Sequence, residues 1–428
     1  MLHWLVDNGK LQFEENIANI WPQFRTNGKD SIKVCHVLNH TSGLHNGMAD
    51  IRDNPLLICD WNECLNHIAM SVPETEPGLE QLYHYLSFGW LCGGIIEHAS
   101  GKKFQEVLEE AIIHPLNIEG ELYIGIPPGV ESRLATLTLD TEDLYRLSRI
   151  SSPPDLPSSF QTNNMLQLVT GLPALFNTLN VRRAIIPAAN GHCSARALAR
   201  YYATLAAGGM VPPPHVSSRP PLGSHPHIPK FPSLESPEKK KANKMKEMVI
   251  PKKKTKVNDH SRNSKNGNND KKTSIDRYTR LCTSGSSSSS SSNTPDSVDG
   301  SESDDHRRGV SKIFSNQKIH DAFLGVGDYS NLVLPNGKFG LGFRRFSLKD
   351  GSLTSFGHSG IGGSTGFCDI ENRFAIAVTL NKLSLGTVTG NIIQFVCSEL
   401  NLPVPEEFSR FGENGPDINP NLGRPLIN

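Results

Sequence analysis

The chain has 428 residues, with 43 Lys plus Arg against 43 Asp plus Glu; this balance excludes a global pull toward nucleic acid or anionic membrane and makes every charge argument local. Its length exceeds one ordinary domain, and the shifts in composition described below point to one large domain carrying a long insertion. No apolar run reaches the roughly 18 residues of a membrane-spanning helix, and the eight cysteines show neither CxxC nor metal-ligand spacing, which predicts free thiols in a reducing, intracellular setting, with no metal or other cofactor.

Residues 1 to 10 read as the last turns of a helix, with Leu2, Leu5 and Val6 on one face and Gly9 where a left-handed C-terminal residue sits. The Met1 to Val6 run is too short, and lacks the basic start, for a signal peptide. A second short helix is predicted over 30 to 40, running into the turn Thr41-Ser42-Gly43-Leu44. After Pro77-Gly78, an apolar helix opens at Tyr85-Leu86-Ser87 and ends at Ser100-Gly101-Lys102, with Gly89, Gly93 and Gly94 placed for close packing. Phe104 to Ile113 has helical periodicity, which Pro115 should end. Helical pieces follow near 140 to 150 and 164 to 179, and a helix from Ala195 runs into Gly208-Gly209.

Composition then changes sharply. Residues 211 to 237 hold nine prolines, 239 to 256 hold nine lysines against one Glu, and Ser286 to Ser292 is unbroken serine. Such a stretch buries too little apolar surface to offset chain entropy, so 211 to 309 is expected to be a disordered insertion. The lysines read as a solvated linker, since no aromatics are interleaved to stack on bases, and no nucleic-acid partner is expected.

Beyond it, Leu341 to Leu348 alternates as a strand, and Lys349 to Ser352 has a hairpin signature. Two further strands are expected, one through the glycine-rich stretch Phe356 to Phe367 and one over Phe374 to Leu380, giving three antiparallel strands. Thr387 to Leu400 is a final helix able to cover one sheet face. The predicted architecture is α+β: residues 1 to 210 helical, 211 to 309 inserted, 310 to 400 sheet and terminal helix, and 401 to 428 a C-terminal tail.

Several motifs occur in one order: His40-Thr41-Ser42-Gly43-Leu44, Pro77-Gly78, Tyr85-Leu86-Ser87, and His358-Ser359-Gly360 on a strand that glycines open to close approach by a ligand. This order resembles the class C β-lactamase, esterase and DD-peptidase family of serine hydrolases, including eukaryotic β-lactamase-related proteins. The resemblance implies the β-lactamase/transpeptidase-like fold, and cleavage of small-molecule amide or ester substrates through an acyl-serine. Carried over residue by residue, Tyr85 is the catalytic tyrosine, Ser87 stands where the family has a substrate-binding asparagine, and His358 with Gly360 is the strand motif. Ile361 then supplies a backbone N–H to the oxyanion hole. A hydroxyl at position 87 does not reproduce both ends of an amide.

The family nucleophile is the serine of a Ser-x-x-Lys motif at a helix start. The resemblance places that motif and the first sheet strands ahead of Met1, so the nucleophile within this chain is unknown, and truncation of the family domain is expected. Ser100-Gly101-Lys102-Lys103 fits the letters but falls at a helix stop; Ser236 and Ser315 open similar runs that match no motif. Three readings stay open: a hydrolase, a non-catalytic binding or assembly protein that keeps the pocket, and a truncated product without function. The resemblance leaves the substrate and the oligomeric state open.

Overall fold

The computed structural model describes residues 1–48, 51, 54–149, 162–213, 311–360, 362–384 and 386–409. The stretches Met1–Pro214 and Arg308–Asn428 form one compact unit. The expected disordered insertion lies almost wholly outside the described residues, as does Ile361.

Helix α1 (Leu2–Asp7) buries Leu2 and Leu5. It stops at Gly9 (φ 66°), where the Gly9 N–H reaches the Val6 carbonyl and the Lys10 N–H reaches that of Leu5, the left-handed ending expected from sequence. Helices α2 (Ile17–Ile20), α3 (Val34–Leu38), α4 (Trp61–Met70) and α5 (Ser87–Ser100) follow. Asp60 caps α4 by accepting from the Glu63 N–H at 3.1 Å. The three glycines of α5 act as its sequence suggests. A Cβ at Gly89 would sit 2.6 Å from the Ala188 backbone nitrogen, and at Gly93 and Gly94 it would meet the rings of Trp61 and Trp21 at 2.3 and 2.2 Å.

Helix α6 (Phe104–Leu108) widens into a π-helical turn over Glu109–Ile113, then tightens into α7 (His114–Leu116). The prediction that Pro115 ends this helix is short by one residue, since Pro115 lies within its last turn, which stops at Asn117 in the left-handed conformation (φ 51°). The preceding π turn changes the hydrogen-bond register and accommodates a residue that has no N–H. Strand β1 (Leu122–Ile124) pairs antiparallel with β3 (Gly191–Cys193), and β2 (Thr138–Leu139) pairs in parallel with β8 (Lys382–Leu383). Helices α8 (Thr141–Ser148), α9 (Thr162–Phe176), α10 (Leu179–Arg183) and α11 (Ala195–Ala206) complete the helical half, and α12 (Ile319–Leu324) precedes the main sheet.

That sheet has four antiparallel strands in the order β4 (Arg344–Phe346), β5 (Ser355–Ser359), β6 (Thr365–Asp369) and β7 (Phe374–Val378). The sequence reading gave three, because it took Phe356 to Phe367 as one strand. The chain instead reverses between Ser359 and Thr365: the Gly363 N–H bonds the Gly360 carbonyl at 2.9 Å, and Gly363 has φ 85°, a conformation costly for residues with a Cβ. On one face α11 packs so closely that a Cβ at Gly366 would lie 2.2 Å from the Tyr202 ring. On the other face Phe346 and Phe367 join Ile393 and Cys397 of α13 (Thr387–Glu399) and Phe408 of α14 (Glu406–Ser409) in a second core cluster. Leu402 and Val404 pack against the same cluster, so part of the expected 401 to 428 tail, up to Ser409, lies on the sheet. Among the described residues, no helix is long and apolar enough to cross a membrane.

Candidate active site

The segment before α5 is held from behind by the His40–Leu44 motif. The Leu82 N–H bonds the His40 carbonyl at 3.0 Å, and the His84 N–H bonds His40 Nδ1 at 3.2 Å. His84 Nε2 lies 2.6 Å from Ser42 Oγ, and its Nδ1 lies 2.6 Å from the Leu82 carbonyl oxygen. A carbonyl only accepts, so Nδ1 carries the proton and the Ser42 hydroxyl donates to Nε2. Burial and the nearby His45 hold the His84 pKa down to about 3, against the opposing Leu82 hydrogen bond, so the ring is neutral at pH 7. This Ser–His pair has the arrangement of an activated nucleophile, but both residues are fully buried. It acts on the backbone, fixing the direction in which residues 83 and 85 point.

In an extended segment alternate side chains face opposite ways. Tyr83 and Tyr85, on either side of buried His84, both line a cavity of about 960 Å³ that His358, Ser359 and Gly360 also line. The Tyr83 hydroxyl is 3.0 Å from His358 Nε2, and the Tyr83 and Tyr85 rings meet edge to face with centroids 4.9 Å apart. The sequence reading put Tyr85 beside His358 and missed Tyr83; the alternating Tyr-His-Tyr was the available signal. Burial, and then Arg344, lower His358 to about 4, so its ring is neutral at pH 7 and carries one proton. With the ring proton on Nδ1, Nε2 is the bare nitrogen and the Tyr83 hydroxyl donates to it. Burial pushes the Tyr85 hydroxyl up to about 12 and Tyr83 higher still. Both tyrosines are therefore proton donors in this cavity, not bases.

The structure puts Ser87 elsewhere. It is 1% exposed, its hydroxyl donates to the His45 carbonyl at 3.3 Å, and it is not part of the cavity wall. The first turn of α5 rotates it into the core, so the substrate contact carried over from the family is not made from this position. Gly360 lines the cavity with its N–H bonded to the Ser364 carbonyl at 2.8 Å. Ser100 is remote: its hydroxyl donates to the Ile96 carbonyl inside α5, and Lys103 turns away to Glu97. Ser315 also lies off the cavity, and Lys318, three positions on, pairs with Asp328. The four described serines on the wall bond to groups other than a lysine or histidine: Ser359 accepts from Thr365, Ser194 donates to Glu121, Ser364 bonds the Leu380 backbone, and Ser384 accepts from the Gly386 N–H.

Arg344 completes the wall beside His358, since its strand position pairs with Gly357. Its guanidinium lies 3.0 Å from the Glu407 carboxylate, with side-chain exposures of 16% and 23%. Burial raises the Glu407 carboxyl above the usual carboxylate range, while Arg344 and Lys338 pull it back.

The sequence model of the Beta-lactamase family matches residues 1–229. The chain belongs to the β-lactamase family. It is 31% identical over 213 residues to the esterase/beta-lactamase LipL of Mycobacterium tuberculosis, covering 49% of this chain and 48% of that protein. A beta-lactamase of Providencia stuartii is 26% identical over 128 residues, covering 30% of this chain and 31% of that one. The chain thus spans about half the length of LipL and about a third of the Providencia protein. Among solved structures, a penicillin-binding protein homolog from Caulobacter crescentus superposes with a TM-score of 0.53 at 22% identity, covering 90% of this chain and 74% of that one. A family VIII carboxylesterase gives 0.50 at 19% identity, covering 89% and 74%. These likenesses assign the β-lactamase/transpeptidase-like serine hydrolase fold.

Proposed function

We propose that this β-lactamase-family chain carries the substrate wall of a hydrolase that cleaves small-molecule amide or ester bonds through an acyl-serine, and that residues 1–428 alone do not complete that cycle. The observation behind the first half is the Tyr83–His358 hydrogen bond on the wall of a large cavity that Tyr85 and Gly360 share. Such a cavity, with few polar groups converging on one place, suits a small acyl compound. In this reading Tyr85 presents its hydroxyl proton to the leaving group, and the Tyr83–His358 pair holds the wall beside it.

The second half rests on the wall serines, which are bonded to neighbours other than a base, and on the tyrosines, which stay protonated. An acyl transfer that lacks an activated nucleophile loses its covalent route, and loss of one oxyanion donor alone costs on the order of 10² to 10³ in rate. The test is to assay the purified chain against nitrocefin and p-nitrophenyl butyrate while measuring binding of the ester by tyrosine fluorescence. Binding without a burst of product is expected. A stoichiometric burst abolished by Tyr83→Phe or Tyr85→Phe would overturn the incompleteness, and absence of both binding and turnover would overturn the hydrolase reading.

A further inference from the structure

The two arginines of β4 meet different surroundings. Arg345, 9% exposed, donates to the carbonyls of Leu324, Leu334 and Gly337, all neutral acceptors that tie the strand to the segment from α12 onward. Arg344 faces the cavity beside His358 and takes a carboxylate, Glu407. That carboxylate arrives from α14, the last described helix, and it is held there firmly. The Glu406 N–H bonds the Ser347 carbonyl at 2.9 Å just past the end of β4. Phe408, 3% exposed, lies against the rings of Phe346 and Phe367 at 5.3 and 5.5 Å. Glu407 leaves Arg344 only if Phe408 leaves the core or the Glu407 side chain turns away from the strand.

Of the other charged groups on the wall, Arg133 lies on the side of Gly120, away from β4, and two more are occupied. Glu121 is bound by Arg196 and Ser194, and Arg182 donates to the Ala135 and Phe176 carbonyls and to Asn177. Beside Arg344 the wall carries Phe339, which bridges to it through the backbone, and His358.

We propose that the Arg344–Glu407 pair is a charge filter: it neutralises the cation nearest His358 and so selects acyl substrates that carry no carboxylate of their own. The proposal rests on the hydrolase reading for the nature of the ligand. An incoming carboxylate must either displace an anchored glutamate or sit beside it with both charges of like sign, and both are costly. A neutral ester or amide meets neither obstacle. Specificity here comes from a built-in repulsion rather than from a contact that favours the right substrate.

The test compares two probes of one skeleton, phenylbutanoate and the methyl ketone in which CH₃ replaces its carboxylate oxygen, by calorimetric titration of the whole chain. Neither can be hydrolysed, so the result does not depend on turnover. The unaltered chain should bind the ketone at least about tenfold more tightly, a difference of roughly 1.4 kcal/mol. Glu407→Gln, which keeps shape and frees the cation, should strengthen phenylbutanoate by about tenfold or more and change the ketone by less than about threefold. Arg344→Gln added to it should abolish that gain. Equal affinity of the unaltered chain for both probes overturns the filter, as does a folded Glu407→Gln variant that still rejects phenylbutanoate. The first comparison needs no variant. Ketone binding without discrimination removes the filter and leaves the hydrolase reading standing; binding of neither probe removes both.

Discussion

Tyr83 and Tyr85 lie two positions apart and share one cavity, yet only Tyr83 was invisible to motif matching. A motif fixes spacing along the chain. The partner of His358 is decided by where an extended segment enters the cavity, and that is set by Ser42 and His40 some 40 residues earlier. A folded-state consequence follows for Tyr83→Phe. It removes the donor to a buried histidine nitrogen while leaving the ring contacts to His40 and Phe339, at 4.7 and 5.6 Å, in place. An unsatisfied buried acceptor costs about 1–3 kcal/mol, so urea denaturation should show a loss in that range at unchanged m-value. A loss below about 0.5 kcal/mol would mean that the Tyr83–His358 bond is not maintained in solution. His358 and Gly360 were legible because their chemistry sits on a strand whose glycines announce it. Ser87 was misplaced because sequence spacing says nothing about which way the first turn of a helix faces.

At the scale of elements, the helices were readable where stop signals and periodicity agreed, as at Gly9 for α1 and Gly101 for α5; the Ser194 side chain, which accepts from the Ala197 N–H and caps α11, adds a start signal that the structure supplies. The fourth strand was not readable. Its signal, three glycines within 360–363, is the same signal that marks a strand approached closely by a ligand, and only pairing of β5 with β6 separates the two. Glycine inside a helix poses a related ambiguity that magnitudes resolve. Replacing Gly by Ala in a helix interior should gain about 0.5–1 kcal/mol. At Gly171 in α9 the new Cβ meets nothing within 4 Å, and Gly171→Ala should stabilise by about that amount. At Gly94 it meets the Trp21 ring at 2.2 Å, and overpacking of about 1–3 kcal/mol outweighs the propensity gain. Thermal melts of the two variants should therefore shift in opposite directions. Stabilisation by Gly94→Ala would mean that the contact between α5 and Trp21 is looser than described.

For the whole molecule, the parts before and after the insertion are joined through buried neutral histidines. His3 Nε2 bonds the Leu341 carbonyl at 2.7 Å and His358 bonds Tyr83, while His84 fixes the segment that carries Tyr83. Burial lowers His3 and His84 to about 3, His36 and His358 to about 4, and His40 well below its ordinary value. An unfolded histidine titrates near 6.5. Between that pH and each folded value the unfolded chain binds the additional protons, so stability is complete above about 6.5 and falls as pH drops. Each such histidine contributes up to about 1.4 kcal/mol per pH unit in that window. Even half of that from the four histidines at about 3 to 4 removes several kcal/mol by pH 5, comparable to the whole stability of a domain. Exposed ion pairs such as Lys102–Glu110 contribute too little to mask it. The melting temperature should hold steady from pH 8 to 7 and fall continuously below about 6.5. His3→Gln, which retains a donor for the Leu341 carbonyl, should flatten that slope by about one proton. A melting temperature equal at pH 7.5 and 5, or a slope that His3→Gln leaves unchanged, would show that these rings are open to solvent and that the junction between the two parts is not closed around them.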